Sequence, residues 1–263
     1  MSAAMLPRHA RDTGNRPKRR TDYRPPPFVI DDIALTFDLD PEVTEVSATY
    51  AFRRNPDAAA ERDAALVLDA EQQFGVRLSL DGRPVSADRI VASESSIALL
   101  DAPASGTLTI RSQIAPARNV ALEGLYLSSG VLCTQCEPEG FRRIAAFPDR
   151  PDVLARYDVT LRADARRYPT LLANGNLVAQ GALDGGRHFA RWRDPFPKPT
   201  YLFALVAGDL GVLEDAFVTA SGRSIALQIH STPDNLPRCR HAMDALKRAM
   251  RWDEQRFGRE YDL

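Results

Sequence analysis

Residues 28–39 read FVIDDIALTFDL and residues 43–52 read VTEVSATYAF, and these two stretches together indicate the fold. Every second residue is apolar from position 33 to 39 of the first stretch and from position 46 to 52 of the second. A period of two is typical of a strand with one buried face, and the short connection predicts a β-hairpin.

Similar short stretches follow along the chain. Strands are predicted at residues 65–68, 74–80, 97–100, 107–114, 155–161, 171–173 and 188–192. Residues 81 and 82 read Asp-Gly, a strong hairpin signal. The run YLFALVA at 201–207 predicts a strand buried on both sides, and PFPKP at 195–199 predicts a turn outside any central ladder. Residues 23–208 are therefore predicted to form a mainly β domain, an antiparallel sandwich or saddle.

The pattern changes to helical near the end of the chain. Apolar residues recur at intervals of three, four or a multiple from residue 235 to 257: Leu236, Cys239, Met243, Leu246, Met250 and Phe257. Thr232 or Asp234 is predicted to cap the start of this helix, and Gly258 stands where it should stop.

Composition narrows the class of protein. The chain has 263 residues, 44% of them hydrophobic, and three cysteines. It contains neither an apolar run of about 18 residues that could span a membrane nor an apolar secretory leader. Few cysteines fit a reducing compartment, which predicts a cytoplasmic location and argues against a disulfide framework.

Charge is distributed unevenly. Residues 1–24 hold seven Arg or Lys and two Asp, a net charge of +5, so the net charge of −1 for the whole chain leaves −6 for the rest. Residues 1–22 are predicted to be a disordered basic tail. Binding of an anionic partner through the tail is a weaker alternative, and nucleic acid is disfavoured because no aromatic residue precedes Tyr23.

Residues 131–143 read VLCTQCEPEGFRR and contain a Cys-x-x-Cys pair, Cys133 and Cys136. A structural zinc site needs four ligands, but the third cysteine is Cys239, and the four histidines show no ligand spacing. A redox pair needs a lowered thiol pKa, and neighbouring carboxylates such as Glu137 act in the opposite direction. Both interpretations of the cysteines are weak.

Several segments resemble the aminopeptidase N family of zinc exopeptidases, in its bacterial branch. The segments are NVALEGLYLSSG (119–130), TQCEPEGFRRIAAFPDRPDVLARY (134–157), LLANGNLVAQG (171–181), DPFPKPTYLFALVAGDL (194–210) and MRWDEQRFGREYDL (250–263). The resemblance runs from about residue 23 to residue 263 and keeps the order and spacing of the motifs.

The resemblance implies a β-rich N-terminal domain followed by a thermolysin-like catalytic domain. It also implies that the loop at 134–137 reaches the active site, where Gln135 and Glu137 bind the free α-amino group of a peptide substrate. The cysteines are then incidental. Glu139 is expected to be a solvated carboxylate. Local ion pairs that support the loop are expected from Arg142, Arg143, Asp149, Arg150 and Asp152.

The family's zinc motif, H-E-x-x-H, and its G-x-M-E-N strand are not found in this sequence. We therefore expect no catalytic residue and no metal ligand in this chain, which we interpret as an N-terminal fragment, inactive alone. Residues 209–263 are expected to be the truncated start of the catalytic domain, whose remainder would be an intramolecular partner. The alternative is a stand-alone β module that binds peptides or free N-termini without cleaving them.

Overall fold

The computed structural model describes residues 19–61 and 64–263. Within them, 17 strands and one α-helix are formed. The strands are β1 (Phe28–Asp38), β2 (Thr44–Arg54), β3 (Leu66–Asp69), β4 (Phe74–Leu80), β5 (Arg83–Pro84), β6 (Ile90–Ala92), β7 (Ser96–Leu99), β8 (Ser105–Ile114), β9 (Gly124–Ser128), β10 (Val131–Gln135), β11 (Ala155–Asp164), β12 (Thr170–Ala173), β13 (Asn176–Leu183), β14 (Arg187–Lys198), β15 (Leu205–Gly208), β16 (Gly211–Val218) and β17 (Ser224–Ser231).

An eight-stranded sheet with the order β13-β14-β11-β1-β2-β8-β4-β5 forms the framework. The predicted hairpin is confirmed, because β1 and β2 pair antiparallel and Leu35 lies opposite Ala48. One pair departs from the antiparallel prediction: β1 and β11 are parallel, with Leu35 opposite Val159. The chain leaves this sheet after β8 and re-enters beside β1 in the same direction, which the alternation within each strand could not reveal.

Two smaller sheets pack against the large one, with the orders β12-β15-β10-β9 and β3-β7-β6. Their apolar faces and the large sheet enclose one hydrophobic core. Phe141 lies at its centre, with ring centroids 5.3 Å from Phe203, 5.9 Å from Phe147 and 6.3 Å from Tyr157. Residues 23–208, called the body below, are thus mainly β, as predicted.

Two boundaries in the body differ from the predictions. The turn predicted at 195–199 is wrong, because β14 continues through Pro195 and Pro197. The strand tolerates both prolines because its register with β11 shifts between Ala155 and Tyr157, and because β13 begins opposite Arg193 and so does not pair with the prolines. The run at 201–207 is only partly strand, since Thr200–Leu202 is a 3-10 helix and β15 begins at Leu205.

The C-terminal unit, residues 209–263, is built from the hairpin β16–β17 and one helix. A 3-10 helix, Pro233–Cys239, leads into the α-helix α1, Arg240–Phe257. Gly258 ends it in the left-handed region, with φ 63° and a hydrogen bond from its N–H to the carbonyl of Glu254, as predicted. Thr232, one of the two predicted caps, does occupy the N-cap position of the 3-10 helix, but its side chain makes no capping hydrogen bond there.

The helix packs on the hairpin through part of its apolar stripe. Met243 is buried with Phe217, Ile225 and Leu227, and Met250 packs against them. Leu246 and Phe257, from the same predicted stripe, remain 38% and 61% exposed. The unit therefore has a small core of its own.

The predicted basic tail lies outside the described residues up to position 18, and Arg20–Asp22 form a single 3-10 turn. Among the described helices, none combines the length and apolar character needed to cross a membrane.

Candidate functional site

The loop after β10 holds the residues singled out in the sequence. β10 pairs with β9 on one side, where Gln135 lies opposite Gly124, and with β15 on the other. Thr134 strengthens the second contact, because its Oγ1 accepts a hydrogen bond from the N–H of Leu205 at 2.9 Å. Gln135 is thus the last residue of a strand held from both sides.

Two glycines allow the loop to fold back on this strand. The N–H of Gly140 donates to the carbonyl of Cys136 at 2.8 Å. A Cβ at position 140 would lie 2.2 Å from the carbonyl oxygen of Gln135, closer than real atoms approach. Gly124, with φ 75°, also lies against the loop, because an added Cβ would lie 2.8 Å from the Cβ of Arg143 and 3.0 Å from the carbonyl oxygen of Gly140. Strand ends and loop therefore pack backbone to backbone.

Gln135 and Glu137 are both exposed and lie next to each other. The Gln135 Nε2 donates a hydrogen bond to the backbone carbonyl of Glu137 at 3.1 Å. Because this bond uses the Nε2 donor of the amide, the acceptor at its other end, Oε1, is not engaged by the Glu137 carbonyl. Among the described residues, the Glu137 carboxylate forms no ion pair.

The other acidic side chains around the loop are paired with arginines. Arg143 bridges Glu71 and Glu123, with nitrogen–oxygen distances of 3.1 Å to both carboxylates. Arg142 pairs with Asp149 at 3.0 Å and with Glu139 at 3.2 Å. Burial of the Arg142 guanidinium disfavours its charged form and by itself would lower its pKa. The hydrogen bond to Asp149 and the charges of its acidic neighbours outweigh that effect and raise its pKa.

The expectation of local ion pairs around this loop agrees with these contacts, and Arg150 forms a bidentate pair with Asp152 at 2.7 and 2.8 Å. Glu139 does pair with Arg142, although its side chain remains 64% exposed. Sequence reasoning missed four partners, because the fold brings them from distant positions. Glu71 and Glu123 pair with Arg143, Asp69 accepts a hydrogen bond from the N–H of Asp149, and Thr200 donates its hydroxyl to Asp149.

The two cysteines differ in environment. Cys136 is 3% exposed, and burial together with the nearby charge of Asp149 raises the pKa of its thiol. This direction is opposite to the one a reactive thiolate requires. Cys133 lies across the strand pair from Tyr126, whose pKa is raised by the hydrogen bond between the two side chains. Within residues 19–61 and 64–263, no three His, Cys, Asp or Glu side chains are grouped to hold a metal ion.

Comparisons with known proteins show what the chain is similar to. Residues 104–202 match the Peptidase M1 N-terminal domain. The chain is 53% identical to aminopeptidase N of Caulobacter vibrioides over 242 residues and 50% identical to that of Escherichia coli over 246 residues. These alignments cover 92% and 94% of this chain but only 28% of each relative.

A solved structure agrees with the sequence matches. Legionella pneumophila aminopeptidase A, in complex with aspartic acid, superimposes with a TM-score of 0.86 at 34% identity, over 94% of this chain and 29% of that one. The chain therefore contains a Peptidase M1 N-terminal domain and, over most of its length, is similar to bacterial aminopeptidase N, of which it spans about 28%.

Proposed function

We propose that this chain is the N-terminal part of a zinc aminopeptidase that removes N-terminal residues from peptides, and that Glu137 and Gln135 anchor the substrate's α-amino group. The observation that carries the proposal is that the Glu137 carboxylate is exposed and forms no ion pair with any described residue. It is the exposed carboxylate of a loop whose other acidic side chains, Glu139 and Asp149, have an arginine partner. The similarity to aminopeptidase N supports the aminopeptidase activity, and the three free cysteines favour a cytoplasmic location.

The geometry suits a primary ammonium group. A carboxylate without a cationic partner attracts the positive charge, and charge-assisted hydrogen bonds are the stronger kind. Gln135 adds a neutral acceptor, Oε1, because its Nε2 is already bound to the Glu137 carbonyl. An ammonium has three donors, so it can satisfy both groups at once. Fixing this cation determines which peptide bond lies one residue away from it.

The residues present do not fit the family's zinc. The described histidines, His188, His230 and His241, lie on different elements: β14, β17 and α1. No described group of three ligand side chains exists around them. We therefore assign no step through zinc to these residues and propose that the metal and the catalytic groups lie in the portion of the relatives that this chain does not match. That portion would be its intramolecular partner.

A chimera tests the proposal. Residues 1–263 replace the matching part of Caulobacter aminopeptidase N, and hydrolysis of alanyl anilides is measured with a free and with an acetylated N-terminus. We expect Glu137→Gln to lower kcat/KM for the free substrate by roughly 30-fold to several-thousand-fold, corresponding to about 2–5 kcal/mol for loss of a desolvated charge pair. The disadvantage of the acetylated substrate should shrink by a similar factor, and zinc content should stay unchanged.

Glu139→Gln is the matched control, since it makes the same change two residues away, and it should leave kcat/KM within a few-fold. Equal kinetics of the two variants would overturn the anchoring role. A chimera that binds peptides with free N-termini but never hydrolyses them would favour the stand-alone binding module instead.

A further inference from the structure

Asp149 is a buried carboxylate that binds Arg142, five residues after Glu137. Its side chain is 1% exposed, and both oxygens are occupied. Oδ2 accepts hydrogen bonds from the backbone N–H of Arg142 at 3.2 Å and from its Nε at 3.0 Å, while Oδ1 accepts one from the hydroxyl of Thr200. Thr200, itself 1% exposed, belongs to the segment that joins β14 to β15.

The position of Asp149 relative to the anchor follows from its neighbours. Burial, and after it the charge of Asp149, raises the pKa of the Cys136 thiol. Cys136 is the residue between Gln135 and Glu137. Asp149 also binds the loop from its other end, since the carbonyl of Asp149 accepts from Arg142 at 3.2 Å.

We infer that Asp149 and Thr200 are positioning residues for the α-amino site: Thr200 orients Asp149, and Asp149 holds the Arg142 guanidinium away from Glu137, so that the Glu137 carboxylate stays available for an ammonium group. The inference rests on the proposed function. It adds two buried residues that touch no substrate and act through Arg142.

The position of Arg142 matters because its guanidinium and the substrate's ammonium are both cations that can bind the Glu137 carboxylate. The Arg142 guanidinium already reaches Glu139, two residues beyond Glu137, at 3.2 Å. Its shortest ion-pair contact is with the buried Asp149, at 3.0 Å, where little water screens the attraction. If Asp149 loses its orientation, the guanidinium can turn toward the nearest exposed carboxylates. An arginine paired with Glu137 would compete with the substrate's ammonium for the same oxygens.

The test uses residues 1–263 as they are, with NMR detection of the loop. L-alaninamide is the free-amine probe, and N-acetyl-L-alaninamide is the blocked probe. The dissociation constant of the blocked probe divided by that of the free-amine probe measures amine recognition. We expect Thr200→Val, which keeps the shape but removes the hydroxyl, to lower this ratio about three- to tenfold, and Thr200→Ser to restore it. Asp149→Asn should lower it about tenfold or more. The Gln135 side-chain amide signal, in the absence of probe, should shift in both weakened variants.

Thr44→Val is the matched control. Thr44 is also buried, and its hydroxyl also bonds locally, to the carbonyl of Asp40 at 2.7 Å, but it is the first residue of β2. It should destabilise the fold without changing the ratio or the Gln135 signal. Loss of amine preference in Glu137→Gln but not in Thr200→Val would overturn the positioning role alone. A wild-type chain that binds both probes equally would overturn the proposed anchor. In that case the Gln135 signal still tests the positioning role, and an unchanged signal in Thr200→Val would overturn it.

Discussion

The body and the C-terminal unit differ most in how much apolar surface each buries by itself. In the described residues, forty buried apolar side chains form one cluster in the body, whereas four form the cluster of the C-terminal unit. Large side chains of the unit stay in water, with Trp252 at 56%, Phe257 at 61% and Val218 at 63% exposed. Because burial of a large apolar side chain contributes about 1.5–3 kcal/mol, the body has a far larger driving force for folding.

From this difference we propose that the body can fold by itself and that the C-terminal unit depends on further contacts. The body encloses its core between three sheets, while the unit covers one face of a two-stranded hairpin with one helix. An isolated hairpin is marginal in water, and a single helix gives it limited support. We therefore expect the two regions to respond differently to the same perturbations.

The largest effect should come from the core of the body. Phe37 is fully buried and stacks on Phe203 with ring centroids 6.1 Å apart. Phe37→Ala should lower the free energy of unfolding of the body by about 3–5 kcal/mol, measured by urea denaturation. Phe217→Ala, the same change in the unit, should leave the body's transition in place. Equal shifts of that transition would mean that the two regions unfold as one.

Hydrogen exchange should show the same contrast in the unaltered chain. Amides of α1 should exchange at least about 100-fold faster than amides in the centres of β1 and β11, because the unit can open while the body stays folded. NMR-detected exchange at neutral pH measures both sets together. Protection in α1 equal to that in β11, in a monomeric sample, would contradict the expectation that the C-terminal unit opens while the body stays folded.

A smaller effect concerns acid stability. The hydrogen bond from Arg191 holds the pKa of Asp158 below its usual range, and Arg193 adds to this. A carboxylate with a lowered folded pKa stabilises the protein above its unfolded pKa, about 4, and this stabilisation is lost as pH falls through the folded value. Asp158→Asn should thus cost the body about 0.5–1 kcal/mol at pH 7 and nothing near pH 2.

Asp215 in the C-terminal unit gives the comparison. Its pKa is also lowered, by the hydrogen bond from Lys247, but it lies at the exposed surface. Asp215→Asn should leave the body's acid transition unchanged in a pH series of thermal melts. A shift equal to that of Asp158→Asn would argue against local ion pairing as the cause.

The smallest stability effect should come from the exposed side of α1. Leu246→Gln should change the free energy of unfolding by no more than about 0.5 kcal/mol, because the side chain is 38% exposed. Light scattering at high concentration should nevertheless fall, since one apolar group leaves an exposed patch. Met243→Gln, on the buried side, should instead remove helix protection. A reversal of these two outcomes would mean that the helix faces were assigned wrongly.

Sequence alone predicted the parts of the fold whose pattern lies within one element. The alternation in β1, β2, β8 and β11 and the spacing in α1 were sufficient, because burial of one face repeats along each of them. β13 escaped prediction because it lies at the sheet edge with nearly every residue exposed. The parallel pairing of β1 with β11 depends on how the chain re-enters the sheet, which no local pattern records.

The candidate site, like the fold, could be predicted only in part from the sequence. The resemblance named Gln135 and Glu137, but the lack of an ion pair between Glu137 and any described residue could not be read from the loop's own residues. It depends on Asp149 and Glu139 binding Arg142, and on a hydroxyl contributed from Thr200, 51 positions further along. Such a balance of charges exists only once distant segments have met.

The parallel pairing of β1 with β11 also has a consequence during synthesis. β2 follows β1 after five residues, but Arg156, which bonds to Asp32 across the parallel pair, is 124 positions away. At about 5–20 residues per second, the ribosome needs about 6–25 s to supply this second neighbour. Throughout that interval β1 has one edge without hydrogen-bond partners and an apolar face without most of its cover. We expect chaperones to contact this strand before other segments of the nascent chain.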